Sequence, residues 1–271
     1  MSELFFNLQP THNPHRWYMP VDPGICVGPP GSLFMFGGVG MASAVAALER
    51  TTGRPLVCAT AQYLGYARPG SIVDIDVWTP VEGKYNTQAQ AKIHIDDQLI
   101  ILVSAALGAR PSELQQQWPE APPAPPPLDC PVSEHWRGDD LLHSRLEVRM
   151  VRGRRGPDRV GNPDPEGRLQ FWVRPRGDYP VDAAMLAIFG DFVPQGVGSA
   201  LGLNAGGNSL DNTLRIHRIV PTQWTLCDIT MSAVNGGFAH GALRLFAEDG
   251  TLMASASQSL ILRVRETAAD R

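Results

Sequence analysis

CATAQYLGYAR (Cys58 to Arg68) and NSLDNTLRIHR (Asn208 to Arg218) read as two versions of one string. A second pair follows in the same order: AKIHIDDQLIILVSAALG from Ala91 and LRLFAEDGTLMASASQSL from Leu243. The apolar rhythm is shared and the copies lie about 150 residues apart, an internal period that decides the fold before any local feature does. The comparison sets Ala59 against Ser209 and Ala105 against Gln258. Apolar in one copy and hydrogen-bonding in the other is the mark of a duplicated scaffold that keeps a single active site. By helix position Asp191 falls near Leu48, which extends the contrast to a third residue.

Between the copies runs ARPSELQQQWPEAPPAPPPLDCP, Ala109 to Pro131. Proline has no amide proton and a fixed φ, so this stretch is neither strand nor helix interior and reads as an extended, semi-rigid linker. The expected division is 1–110, a linker at 111–135, and 136–271. In the first part FGGVGMASAVAALERTTG (Phe36 to Gly53) is the best helix, opened by glycines and stopped by Gly53. Alternating strands are expected over Leu56–Tyr63, Ser71–Thr79, Asn86–Ile95 and Leu99–Gly108. The second part predicts strands near Leu142–Met150 and Leu169–Arg174, then a helix over Val181–Phe189. Strands over Leu210–Ile219, Trp224–Val234, Phe238–Ala247 and Thr251–Val264 complete it. The EDG string joining the last two predicts a tight turn with positive φ at both central positions. Each part is thus a helix followed by antiparallel strands, an α+β architecture in which a sheet wraps a helix.

Composition narrows the function classes. At 271 residues there is room for one large domain or two of about 130. A formal charge of -4 leaves no basic footprint for nucleic acid. No uninterrupted apolar run reaches the roughly 18 residues of a membrane span. The polar, Pro-broken start MSELFFNLQPTHNPHRWYMP does not read as a secretory signal, and the AADR end is not a peroxisomal address. The expectation is a cytoplasmic protein. Cys26, Cys58, Cys130 and Cys227 form no CxxC pair, which fits buried structural thiols in a reducing compartment. His12 and His15 lie in a Pro-rich stretch without further clustered ligands, so no metal and no cofactor are expected.

Three side chains stand out. Asp191, in FGDFVP, is an acid flanked by Phe189, Gly190, Phe192 and Val193. Desolvation there would raise its pKa and fit it to act as a base, although a helix cap is the plainer reading of a lone Asp. Ser209 could orient a water or cap a turn; with no G-x-S-x-G elbow, it is not read as a nucleophile. Gln258, in ASASQSLIL, shares a strand face with Ala254, Ala256 and Leu260, so burial would oblige its amide to find partners. The alternative is an outward-facing Gln. Asp211 reads as structural, and RMVRGRRGPDR (Arg149 to Arg159) as a solvated loop rather than a nucleotide clamp.

FGG before an Ala-rich helix, ARPG after the next strand, the aromatic-flanked Asp191, SLDN leading into RIHR, and EDGTLMASASQ follow one another in order. Together they resemble the acyl-CoA thioesterase II family of double hot-dog enzymes, across nearly the whole chain. The resemblance implies a double hot-dog fold and hydrolysis of acyl-CoA to free acid and CoA, in fatty acid metabolism. In that family an Asp, a Thr or Ser, and a Gln activate the attacking water; by motif these are Asp191, Ser209 and Gln258. The sequence departs from the family at Asn212, where relatives often have His, at Gly190, and at Gln62-Tyr63. Gly37, Gly38 and Gly40, opening the first helix, are candidates to hold the thioester carbonyl through backbone amides and the helix dipole; tight helix packing is the other reading. Analogy with related folds implies a homo-oligomer, a dimer or higher. A catalytically silent acyl-binding protein and an enoyl-CoA hydratase are the rivals; the hydratase usually needs a paired Asp and His within one half.

Overall fold

The computed structural model describes residues 4–133 and 140–265, so the boundary expected at 135/136 lies outside the described residues. Four short strands come first: β1 (Gln9–Pro10), β2 (Arg16–Pro20), β3 (Cys26–Val27) and β4 (Phe34–Met35). Helix α1 (Gly37–Thr52) follows, then β5 (Leu56–Tyr63), β6 (Ile72–Glu82), β7 (Asn86–Ile95) and β8 (Gln98–Gly108). After the Pro-rich segment come β9 (Leu146–Arg152), β10 (Arg168–Pro175), α2 (Ala183–Gly190) and α3 (Val193–Leu201). The chain ends with β11 (Ala205–Ser209), β12 (Asp211–Ile216), β13 (Thr225–Asn235), β14 (Phe238–Ala247) and β15 (Leu252–Val264).

One 13-stranded sheet holds most of these, in the order β1-β2-β6-β7-β8-β5-β12-β15-β14-β13-β10-β9, with β11 also on β15. Strands before the linker therefore fill one side and strands after it the other. They meet where β5 pairs antiparallel with β12. The sheet covers the helices: Gly38 through Leu48 of α1 and every residue of α2 are buried. Glycine at Gly53 takes φ 65 and closes α1 with a bond to the Glu49 carbonyl, as a left-handed stop requires. Asp182 caps α2 by accepting from the Met185 amide at 2.9 Å.

Several elements differ from the sequence reading. Helix α3 was not expected because VPQGVGSAL carries a Pro and two glycines; Pro194 is tolerated in the first turn, where its missing amide has no partner to lose. Together α2 and α3 make Ala183–Leu201 long and apolar enough to cross a membrane, yet the run is mostly buried inside this protein. Leu142–Arg145 forms a 3-10 turn, so the strand begins only at Leu146. Ser209 ends β11 rather than opening the next strand. The EDG turn is a three-residue loop with positive φ at Gly250 alone, the form in which a type I turn is followed by a left-handed glycine.

That loop is one residue longer than the two-residue turn of the β7–β8 hairpin, where Ile95 faces Gln98. The extra residue puts an ungapped match of the two strings out of step beyond the turn. Burial restores the register: exposed Ser104 precedes buried Ala105, and exposed Ser257 precedes buried Gln258. Ala105 pairs with Ala59, whereas continuing the β12–β15 ladder from Thr213–Ser257 sets Asn212 beside Gln258. The place of Ala59 is thus held by Asn212, three residues beyond Ser209. The Pro-rich segment lies on the second-half strands: Gln117 accepts from the Leu252 amide at 2.7 Å, and Trp172 Nε1 donates to the Pro125 carbonyl at 3.0 Å.

Candidate active site

Asp191 sits in the two-residue break between α2 and α3 and is 4% exposed. Its Oδ2 accepts from the Gly38 amide at 2.6 Å, across the junction with α1. Its Oδ1 accepts from Gln258 Nε2 and, at 3.5 Å, from Ser209 Oγ. Gln258 Nε2 also donates to Ser209 Oγ at 3.1 Å. The three side chains singled out in the sequence therefore form one hydrogen-bonded cluster. Burial is the dominant influence on the carboxyl and pushes its pKa up to about 7; the bonds from Gln258, Gly38 and Ser209 pull the other way. A carboxyl poised near neutrality can exchange a proton at physiological pH.

The cluster opens onto a cavity of about 540 Å³ lined by Asp191, Ser209, Gly37 and Tyr63, with Phe34, Met35 and Ile101 on its apolar side. A larger cleft between residues 174–182 and 219–223 contains Glu147, but Arg174 and Arg149 hold that acid below its ordinary range. It offers a fixed ion pair, not a proton acceptor.

The three glycines separate in the structure. The Gly38 amide is engaged by Asp191 and the Gly40 amide by the Phe36 carbonyl at 3.2 Å, so neither is free for a substrate carbonyl. Gly37 alone of the three lines the cavity. A side-chain carbon on it would stand 2.9 Å from Asp191 Oδ2 and 3.0 Å from the Tyr63 ring. Gly40 serves packing, since a side chain there would meet Ile101 at 2.3 Å.

Two further residues flank the cluster. Tyr63 points its hydroxyl inward from β5, where that oxygen is enclosed beside the Asn212 amide. Burial and the Asp191 charge raise its pKa, which keeps the proton on the oxygen. Asn212, fully buried, lies against that hydroxyl and opposes the rise, and Gln258 Oε1 is left without a partner. The alternation of β5 carries the signal, for Ala59, Ala61 and Tyr63 share the inner face. Asp211, by contrast, accepts from the Ser259 amide at 2.6 Å and is structural.

The arginine-rich stretch is not a wholly solvated loop. Arg152 pairs with Asp164 and Glu166 outside, but Arg155 and Arg159 line the same cavity as Asp191. After a left-handed turn at Gly153, with φ 84, Arg154 stays exposed while Arg155 and Arg159 reach the cavity, an alternation that charge density along the string does not reveal.

The profile of the acyl-CoA thioesterase C-terminal domain matches residues 116–262, more than half of the chain. A provisionally assigned thioesterase from Novosphingobium aromaticivorans is 36% identical, with a TM-score of 0.85 over 94% of this chain and 98% of that one. A hot-dog protein from Alicyclobacillus acidocaldarius superposes at TM-score 0.81 with 16% identity, over 97% of each chain. An acyl-CoA thioesterase II from Mycobacterium marinum superposes at 0.72 with 19% identity, also over 97% of each, and shares the fold. No functionally curated protein matches in sequence. A mostly antiparallel sheet over buried helices, a carboxyl raised to about 7 and these matches agree: the chain belongs to the acyl-CoA thioesterase family and is a thioester hydrolase of the hot-dog fold.

Proposed function

We propose that the protein hydrolyses acyl-CoA to a free acid and CoA by general-base activation of water at Asp191. The observation that carries this reading is a buried carboxyl, raised to about 7 and held by Ser209 and Gln258, at the edge of an open cavity. Water bound beside Ser209 gives one hydrogen to Asp191 and directs the other to Gln258 Oε1, which is otherwise unpartnered. The water oxygen bonds to the thioester carbon. Its proton passes to Asp191 and then to the departing sulfur as the C–S bond breaks, leaving acid, thiol and a regenerated carboxylate. General-base help of this kind contributes about 10²–10⁴-fold.

The oxyanion that forms on the carbonyl needs donors already in place. The Gly37 amide at the start of α1 and the Tyr63 hydroxyl supply them, with Gly37 lacking the carbon that would block approach. The first-half corner thus polarises the substrate while the second-half cluster holds the water. We read the molecule accordingly as two hot-dog units in tandem, residues 1–110 and 136–271, joined by 111–135. Exposed Val57 on β5 and Ile72, Trp78 and Val81 on β6 support assembly into a dimer or higher oligomer, and four unpaired cysteines support a cytoplasmic setting.

The test is release of CoA from acyl-CoA in the presence of a thiol reagent, repeated with Asp191→Ala. Release that persists unchanged in the variant would overturn the mechanism. Release from no acyl chain length would point to a silent acyl-binding protein.

A further inference from the structure

The cavity that holds Asp191 is lined by three arginines and, among the described residues, one carboxylate, Asp191 itself. The arginines follow α3. Arg155 donates to Gln195, about one turn along from Asp191. Arg159 lies against Gly198, where a side-chain carbon would stand 2.7 Å from its Nη1. At 1.5 Å per residue, Gly198 is about 7.5 Å along α3 from Val193, the first helical residue after the break that holds Asp191. Arg159 Nη2 donates to Asn204 Oδ1 at 3.0 Å, while its Nε is enclosed without a partner. Arg265, just after β15, lines the same cavity.

These cations repel one another. Burial first and Arg265 second lower the pKa of Arg159, and the charge of Arg159 adds to the burial that depresses Arg155. The C-terminal half of α3 offsets part of that repulsion through its dipole. An anion set against the forked donors would offset far more, because charge-assisted bonds to guanidinium are strong and directional.

We propose that Arg159, together with Arg155 and Arg265, forms a subsite for an anionic group carried by the substrate, in the same cavity as Asp191 and farther along α3. The inference rests on the hydrolase reading of the cavity. Two sources present the same chemistry: a phosphate of CoA, or a carboxylate at the far end of the acyl chain. Either would be gripped through planar, paired N–H donors, and the spacing would set which substrates reach Asp191 productively.

Calorimetry on the intact protein tests this without turnover. The ligand pairs are CoA against pantetheine, and a linear dicarboxylic acid against the monocarboxylic acid of equal length. In the wild type at least one anionic member should bind more tightly than its counterpart. Arg159→Gln should remove that advantage, about tenfold or more, while Arg159→Lys retains part of it. Loss confined to CoA identifies the phosphate, and loss confined to the dicarboxylate identifies the acyl terminus. Should Arg159→Gln fail to fold, Arg265→Gln makes the same comparison. No advantage for either anion, or equal weakening of both members of a pair, overturns the subsite. Hydrolysis of an uncharged N-acetylcysteamine thioester, followed separately, reports on Asp191 and leaves the binding result independent.

Discussion

Phe36-Gly37-Gly38 and Phe189-Gly190-Asp191 are the two aromatic–glycine corners of the molecule, and they meet. The Gly38 amide donates to Asp191, and the Phe36 ring packs 5.9 Å from that of Phe192. One corner ends in a residue with no side chain, the other in the acid that its neighbour's amide grips. The same asymmetry runs through the sheet beneath. Ala59 and Ala105 pair on the first-half side, whereas Asn212 and Gln258 stand together on the other. On the proposed mechanism one active site draws on both corners: backbone donors and space from the first, a proton acceptor from the second.

Removing the acid tests that division most severely. Asp191→Asn is expected to lower kcat about 10²–10⁴-fold, measured by CoA release. In the wild type kcat/KM should rise with pH through about 7 and then level, as Asp191 loses its proton. Stability should move the opposite way. Between about 4 and about 7 the folded protein holds a proton that the unfolded chain has lost, so the carboxyl makes stability fall as pH rises across that window. Asp191→Asn should lack this fall, and its Tm advantage over the wild type should grow from pH 5 to pH 8. A flat pH–rate profile would separate the buried acid from the chemistry.

The first corner answers next. Tyr63→Phe removes one proposed oxyanion donor without altering the ring, and a loss of about 10²-fold in kcat with little change in KM is expected. The pH profile should keep its midpoint, because the base is untouched. Gly38→Ala probes the contact itself. Its new carbon would stand 2.8 Å from Asp191 Cβ and 2.9 Å from the Ile188 carbonyl, and backbone cannot yield as a flexible side chain can. Destabilisation by about 1–3 kcal/mol is expected in urea titration. An Ala variant as stable as the parent would mean that the corners are not locked together.

Much of this was legible in the chain because it is periodic. α1 and β5 through β8 fall within a few residues of their expected bounds, for helix and strand patterns there are uninterrupted. Asp191, Ser209 and Gln258 stood out as polar residues in apolar settings, which burial penalises unless they meet. What stayed hidden depended on three-dimensional register. A one-residue difference in turn length sets Gln258 against Ala105, and the β12–β15 ladder then puts Asn212, not Ser209, in the place of Ala59. Inward arginines at Arg155 and Arg159 have no periodic signature. Helix α3 was masked by Pro and Gly that only its position in the fold makes tolerable.

Ser209→Ala should have the smallest effect, and its size would sharpen the comparison further. Its hydroxyl reaches Asp191 at 3.5 Å, the limit of a hydrogen bond, whereas Gln258 approaches the same oxygen closely. Its contribution to the resting carboxylate is therefore slight, and the pH midpoint should move little. Its second contact, the 3.1 Å bond from Gln258 Nε2, leaves the hydroxyl proton free to turn toward an incoming water. A loss of about fivefold in kcat is expected, consistent with one neutral hydrogen bond of about 1 kcal/mol. Ser209→Thr, which keeps the hydroxyl, should recover most of it. A loss in the Ala variant as large as that of Asp191→Asn would mean that Ser209 does more than hold water, and the division of labour between the corners would have to be redrawn.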